Sequence, residues 1–303
     1  MTLVALFLGL AIERAATQLL RLREPRWFDG YLQWTLGRSR DQRGARLVVL
    51  TIMLVLLPVL PVALIAALFH DVLLGVLYVA FATVVLIFSF GPRDLHDEVD
   101  DYLDGLETGD QARATRVAQE IMENDAAQRT RASPDALEDA IFVQTNNRTF
   151  GVAFWFMLAG PAGAWAFRVS DLMRRRAVFE YRGRAADPAA VPEFVHTLQV
   201  IHGVLAWAPA RLLALGYAFG GSFDRAMVEW RRFAGRAGAH FFDVNDQMLA
   251  SVGRGALEAP VAAAGVLQLP DIDRVRACMA VVNRALLIWL VFVSALVLIG
   301  WIR

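Results

Sequence analysis

Residues 47–69, LVVLTIMLVLLPVLPVALIAALF, are a run of 23 positions without a charge. At about 1.5 Å of rise per residue, a helix of that length crosses a hydrocarbon core of about 30 Å. Pro58 and Pro61 lie inside the run, and each removes a backbone donor and crowds the preceding turn, so the span is expected to bend. After His70 and Asp71 a second apolar segment, residues 72–90, completes a tight helical hairpin. Residues 285–302 form a third span. With 57% hydrophobic residues, against about 45–50% in soluble globular chains, the fold class is all-α, a polytopic inner-membrane helical protein with cytoplasmic helical segments and broken or re-entrant membrane helices.

Arginine placement sets the orientation. Arg38, Arg40, Arg43 and Arg46 precede the first span, while the hairpin tip carries no basic residue, so the N-terminal segment and residues 91–148 face the cytoplasm. The last span starts at Arg284, after Arg254, Arg274 and Arg276, and ends outside. Segments 149–167 and 200–219 fit this scheme badly. If both crossed, the loop between them, with Arg168, Arg174, Arg175, Arg176, Arg182 and Arg184, would lie outside. Each is also interrupted, by Gly160-Pro161-Ala162-Gly163 and by Pro209. The expectation is two partly inserted, re-entrant or protein-buried helices, with Pro209 as a kink.

The resulting organisation is an N-terminal helix and basic juxtamembrane segment (1–46), a transmembrane hairpin (47–90), a cytoplasmic acidic helical region (91–148), a core with broken apolar helices (149–230), cytoplasmic helices and a loop (231–283) and the C-terminal span (285–302). Residues 1–12 lack the basic flank and cleavage site of a signal peptide, so they are expected to remain as an amphipathic or membrane-entering helix. No internal repeat or low-complexity tract occurs.

Formal charge balances at 30 basic and 30 acidic residues, which gives no argument for nucleic acid as a partner. Every basic residue is arginine. This removes chemistry that needs a lysine amine, including a Walker A loop or a Schiff base. Cys278 is the only cysteine, so an internal disulfide and a CxxC metal site are excluded. The five histidines, His70, His96, His196, His202 and His240, follow no metal-binding spacing, and no GxSxG or GxGxxG motif stands in its required context.

Residues 94–110, DLHDEVDDYLDGLETGD, hold eight carboxylates and no arginine. Asp94, Asp97, Glu98 and Asp101 recur at helical spacing on one face. That face is either a candidate site for a hard cation such as Mg²⁺ or a solvated surface whose reverse, Leu95, Val99, Tyr102, Leu103 and Leu106, packs inward. A turn at Thr108, Gly109 and Asp110 leads into the amphipathic helix QARATRVAQEIMEN, and Ser133-Pro134 reads as the start of the next helix.

Three stretches, LETGDQARA (106–114), FWFMLAGPAGAWAFRVSD (154–171) and VLAWAPARLLAL (204–215), together resemble the CobD/CbiB and AmpE family of bacterial inner-membrane proteins. The resemblance covers about residues 85–230. It implies one of two activities. The CobD/CbiB branch resembles an ATP-dependent synthase that joins an aminopropanol phosphate arm to a corrin carboxylate by an amide bond, with Mg²⁺ and a nucleotide as cofactors. That branch carries a Glu-Asn-Thr-Ser-Asp-Gly run and paired aspartates where this chain has Gln144-Thr145-Asn146-Asn147-Arg148-Thr149 and His202-Gly203. An arginine in place of an aspartate cannot bind the metal. The resemblance to the AmpE branch therefore carries the expectation of a non-catalytic signalling or accessory protein in cell-wall recycling and β-lactamase induction.

A guanidinium in an apolar segment needs a partner, since burying it alone costs several kcal/mol. Arg148, Arg168 and Arg211 pose that question. Either they pair internally, for instance with Asp171 or with lipid phosphate, or they build a pocket for a small anion (nucleotide, muropeptide or lipid phosphate) with Asp171, His202 and Trp207, and with Trp155 and Trp165 as apolar walls. The partners expected are the lipid bilayer, such an anion, and another inner-membrane protein or complex whose structural subunit this chain would be.

Overall fold

The computed structural model describes residues 26–39, 42–69, 75–90, 95–123, 134–184, 193–234, 244–257 and 272–299. Residues 1–12, Asp94 and Ser133 lie outside them, and so do the expectations made for them. Twelve α-helices and one π-helical turn are described: α1 Arg26–Ser39, α2 Gly44–Leu56, α3 Val59–Phe69, α4 Val76–Phe90, α5 Leu95–Glu107, α6 Gln111–Glu123, α7 Pro134–Thr145, the π turn Asn146–Phe150, α8 Gly151–Arg184, α9 Glu193–Gly220, α10 Phe223–Ala234, α11 Asn245–Ala256 and α12 Ile272–Leu298. No strand occurs among the described residues. Four helical stretches are long and apolar enough to cross a membrane, Val76–Glu107, Asp135–Glu180, Glu193–Gly220 and Ile272–Leu296; α2 with α3 makes a fifth if the bent pair is one span.

The contacts divide the chain into two compact units, residues 1–94 with 147–206 and residues 95–146 with 207–303. In the first unit α2 and α3 meet at a bend of 43°, where Pro58 interrupts the apolar run. Trp165 Nε1 donates to the Pro58 carbonyl at 3.0 Å, which gives the bend a polar partner. Helices α4 and α8 pack through Ala82, Leu86, Phe90, Val152, Phe156, Ala164 and Phe167, all buried, with Ala206 of α9 in the same core. Helix α8 breaks where the Gly-Pro-Ala-Gly stretch predicts: Ala159 leaves helical geometry and Gly160 takes φ +64°, a conformation that costs glycine little. A Cβ on Gly163 would stand 2.4 Å from the Trp155 carbonyl oxygen, so the break closes only over a hydrogen atom.

Segment 200–219 departs from its expectation. Helix α9 runs from Glu193 to Gly220 with Pro209 inside it, rather than being interrupted there, and it is long enough to cross. Proline in a helix interior costs about 3 kcal/mol, partly because the carbonyl four residues earlier loses its donor. That carbonyl belongs to Leu205, and it accepts a hydrogen bond from Trp155 Nε1 at 2.9 Å. A side chain from α8 therefore replaces the missing amide, recovering about 1 kcal/mol.

The second unit is built around the α5–α6 hairpin and α7, α11 and α12. Gly109, at φ +75°, turns the chain between α5 and α6, and the Asp110 carboxylate caps α6 by accepting from the Arg113 amide at 3.0 Å. Tyr217 donates to the Phe142 carbonyl at 2.8 Å, with the two rings 4.9 Å apart. Trp289 of α12 donates to the Leu212 carbonyl at 2.9 Å. Arg284 donates to the carbonyl of Gly220 at 3.1 Å and so caps the C-terminus of α9 with a cation.

Candidate functional site

In the first unit the sequence RVSDLMRRR, residues 168–176, stays helical, so positions three and four apart fall on one strip. Arg168, Arg174 and Arg175 therefore flank Asp171 at minus three, plus three and plus four. Their guanidinium groups converge on its carboxylate: Arg168 Nη1 lies 3.3 Å from Oδ2, Arg174 Nη2 3.3 Å from Oδ1, and Arg175 makes a fork with Nη2 2.7 Å from Oδ2 and Nε 3.0 Å from Oδ1. Asp171 is completely buried, and Arg168 and Arg174 nearly so. Three guanidinium groups thus share one buried carboxylate.

Helix α9 and the π turn complete the cluster. His202, itself buried, places Nε2 3.9 Å from Asp171 Oδ1 and 3.4 Å from Asn147 Oδ1, and its Nδ1 lies 3.0 Å from Ser170 Oγ. The Ser170 hydroxyl donates to the Phe167 carbonyl at 2.7 Å, so that His202 faces Ser170 through Nδ1 and Asn147 and Asp171 through Nε2. Ser170, His202 and Asp171 are thus not a nucleophilic triad: the hydroxyl is committed to the backbone and the His–Asp separation is beyond hydrogen-bond range. Asn147 and Arg148, both buried, belong to the π turn, and Arg148 is near enough to Arg168 for their charges to repel. Isolated π turns inside helices recur at functional sites. The turn holds Arg148, at the position where the resemblance to the synthase branch implies an aspartate.

Of the residues singled out in the sequence, Arg148, Arg168, Asp171 and His202 belong to this first unit, and Trp207 and Arg211 to the second. Arg211 donates to Asn245 Oδ1 at 2.9 Å and to the Trp207 carbonyl at 3.0 Å, and its guanidinium carbon stands 4.5 Å above the Trp207 ring. Cation, amide and aromatic face thus hold one another inside that unit. Trp155 and Trp165 spend their indole donors on backbone carbonyls, which makes them anchors between helices as well as apolar surface. The residues missed by the sequence argument are Arg174 and Arg175. The sequence places them in a loop between apolar segments, and their spacing from Asp171 is the signal that marks them.

The acidic face of α5 is engaged by arginine. Arg113 pairs with Asp101 and lies 3.2 Å from Asp104, and Arg276 pairs with Glu107. Glu98 is buried. Among the described residues no three His, Cys, Asp or Glu side chains gather as metal ligands; Asp94, the first of the four acidic positions, lies outside them. Nor does the Asp171 cluster fit a magnesium ion, because its single carboxylate already accepts from three guanidinium groups.

The family described as CobD/Cbib protein matches residues 6–274. This chain belongs to the CobD/Cbib family. Over 149 residues it is 28% identical to the cobalamin biosynthesis protein CobD of Stutzerimonas stutzeri (strain A1501), a match covering 49% of this chain and 47% of that protein. The chain thus spans about half the length of this curated relative. No solved structure matches. The CobD/CbiB half of the resemblance is the one these similarities carry; they lend no support to the AmpE branch, to β-lactamase induction or to cell-wall recycling.

Proposed function

We propose that this CobD/Cbib protein serves cobalamin biosynthesis from within the membrane, with its working cluster on helix α8. The cluster of Arg168, Arg174 and Arg175 around Asp171 binds an anionic group of an intermediate. The observation that carries the proposal is the convergence of three guanidinium groups, those of Arg168 and Arg174 buried and that of Arg175 partly so, on one buried carboxylate. Guanidinium forks match both phosphate and carboxylate oxygens. The substrates implied by the synthase branch, an aminopropanol phosphate and a corrin carboxylate, present those two groups. Because the Asp171 cluster does not fit Mg²⁺, no ATP-dependent step is assigned to it. The cluster binds and orients an anion, and Asp171 keeps the arginines spread and ready.

A second reading, a non-catalytic AmpE-like accessory protein, is favoured by one feature: Gln144 and Arg148 stand where the synthase pattern has carboxylates. The two readings separate in one experiment. Protein reconstituted in nanodiscs is titrated with aminopropanol phosphate, with a corrinoid bearing free carboxylates, and with inorganic phosphate, following thermal unfolding. The proposal expects stabilisation by the corrinoid or the phosphate arm beyond that by inorganic phosphate, abolished in Arg175→Gln. Stabilisation by neither would overturn it, and stabilisation by a muropeptide in the same assay would favour the accessory role.

A further inference from the structure

Helix α10 begins at Phe223, directly after the long apolar helix α9 ends at Gly220. Apolar exposure continues through the last turn of α9, where Phe219 is 63% exposed, and passes to Phe223, 45% exposed, whose ring lies 5.4 Å from that of Phe219. The turn between the helices is fixed. Ser222 donates its amide to the Ala256 carbonyl at 2.7 Å, and a Cβ on Gly221 would come within 2.2 Å of the same oxygen. The direction in which α10 leaves α9 is therefore set by close backbone packing on α11.

Along α10, Phe223, Met227 and Trp230 recur at i, i+4 and i+7 and form one strip, exposed at Phe223 and half-buried at Met227 and Trp230. Helix α11 covers a different flank: Ala226 is buried there, and a Cβ on Gly255 would stand 3.2 Å from its Cα. Asp224, Arg225, Glu229 and Arg232 line a cleft of about 580 Å³ with Ser251 and Arg254, on the side of α10 away from the aromatic strip. One helix thus carries an aromatic strip on one side and a charged cleft on the other, at the end of a candidate span. Helices of this kind lie in the plane of a bilayer surface with the apolar face at the headgroup–acyl boundary, where tryptophan and arginine are favoured.

We infer that α10 is an interfacial helix, seated in the bilayer surface through Phe223, Met227 and Trp230, with its charged cleft opening to water. Continuity of the exposed aromatic surface from Phe219 to Phe223 commits the strip to lipid rather than to a second protein. The test uses the full chain in proteoliposomes at high lipid-to-protein ratio, with a nitroxide attached in turn to Phe223→Cys, Met227→Cys, Trp230→Cys, Asp224→Cys and Arg232→Cys; Cys278 is buried and stays in place. The expected result is severalfold greater relaxation by oxygen than by a water-soluble nickel complex at 223, 227 and 230, and the reverse at 224 and 232. A label at Val291, 61% exposed on α12, checks that each preparation is folded and inserted. Preferential nickel access at all five positions would overturn the inference, as would exclusion of both reagents from 223, 227 and 230, the signature of a protein partner.

Discussion

Two charged clusters, one in each unit, solve the same problem in opposite ways. Around Asp171 three arginines share a single buried carboxylate. In the second unit, Asp135, Glu138 and Asp139 share Arg254 and Arg274: Arg274 grips the buried Glu138 at 2.7 Å and reaches Asp135 at 3.4 Å, while Arg254 lies 3.0 Å from Asp139 and 3.4 Å from Asp135. Both arginines of that second network retain exposure, at 30% and 38% of the side chain, so solvent moderates it. The contrast teaches what each arrangement is for. A partly solvated network in which carboxylates outnumber arginines ties α7, α11 and α12 together, whereas the more buried cluster in which arginines surround one carboxylate is the one for which we propose an anion.

The largest expected effect comes from Asp171→Asn. Removing one partner of a buried ion pair costs about 3–5 kcal/mol, and here it leaves three guanidinium groups facing a neutral amide, so the midpoint of unfolding in nanodiscs should collapse. A midpoint within a degree of wild type would show that the cluster is not held by Asp171. Next comes Arg274→Met, which strands the buried Glu138. Loss of a charge-assisted bond of this kind costs about 1.5–3 kcal/mol, and adding Glu138→Gln should recover part of it by removing the stranded charge. An unchanged midpoint in the single variant would break the comparison from the other side. The smallest effect belongs to Arg113→Gln. Its pairs with Asp101 and Asp104 are solvent-accessible, so the substitution should leave unfolding unmoved and abolish only what salt already screens. A shift comparable with that of Arg274→Met would make the α5–α6 hairpin a stability element.

Much of this was legible in the chain. Apolar length alone marks residues 47–69 and 72–90, Pro58 predicts the bend between α2 and α3, and Gly160-Pro161 predicts the break in α8, because these are properties of backbone sterics and of transfer from water. The fate of Pro209 was not legible. Whether a proline interrupts a helix depends on whether a distant donor reaches the freed carbonyl, and Trp155 does so across a separation of 50 residues. The aspartate–arginine strip occupied a middle position. Arg168, Asp171, Arg174 and Arg175 have helical spacing, yet residues 174–176 read as loop charge because the apolar run ends at residue 167.

The sequence by itself therefore determined a helical membrane protein, the position of its bends and its membership of a family, since each depends on local composition or on matched residues in order. Tertiary structure decided which charges are buried together. His202 comes to Asp171 from α9 and Asn147 from the π turn, a convergence written in no local pattern, because burial and the partners it demands are set only when helices pack.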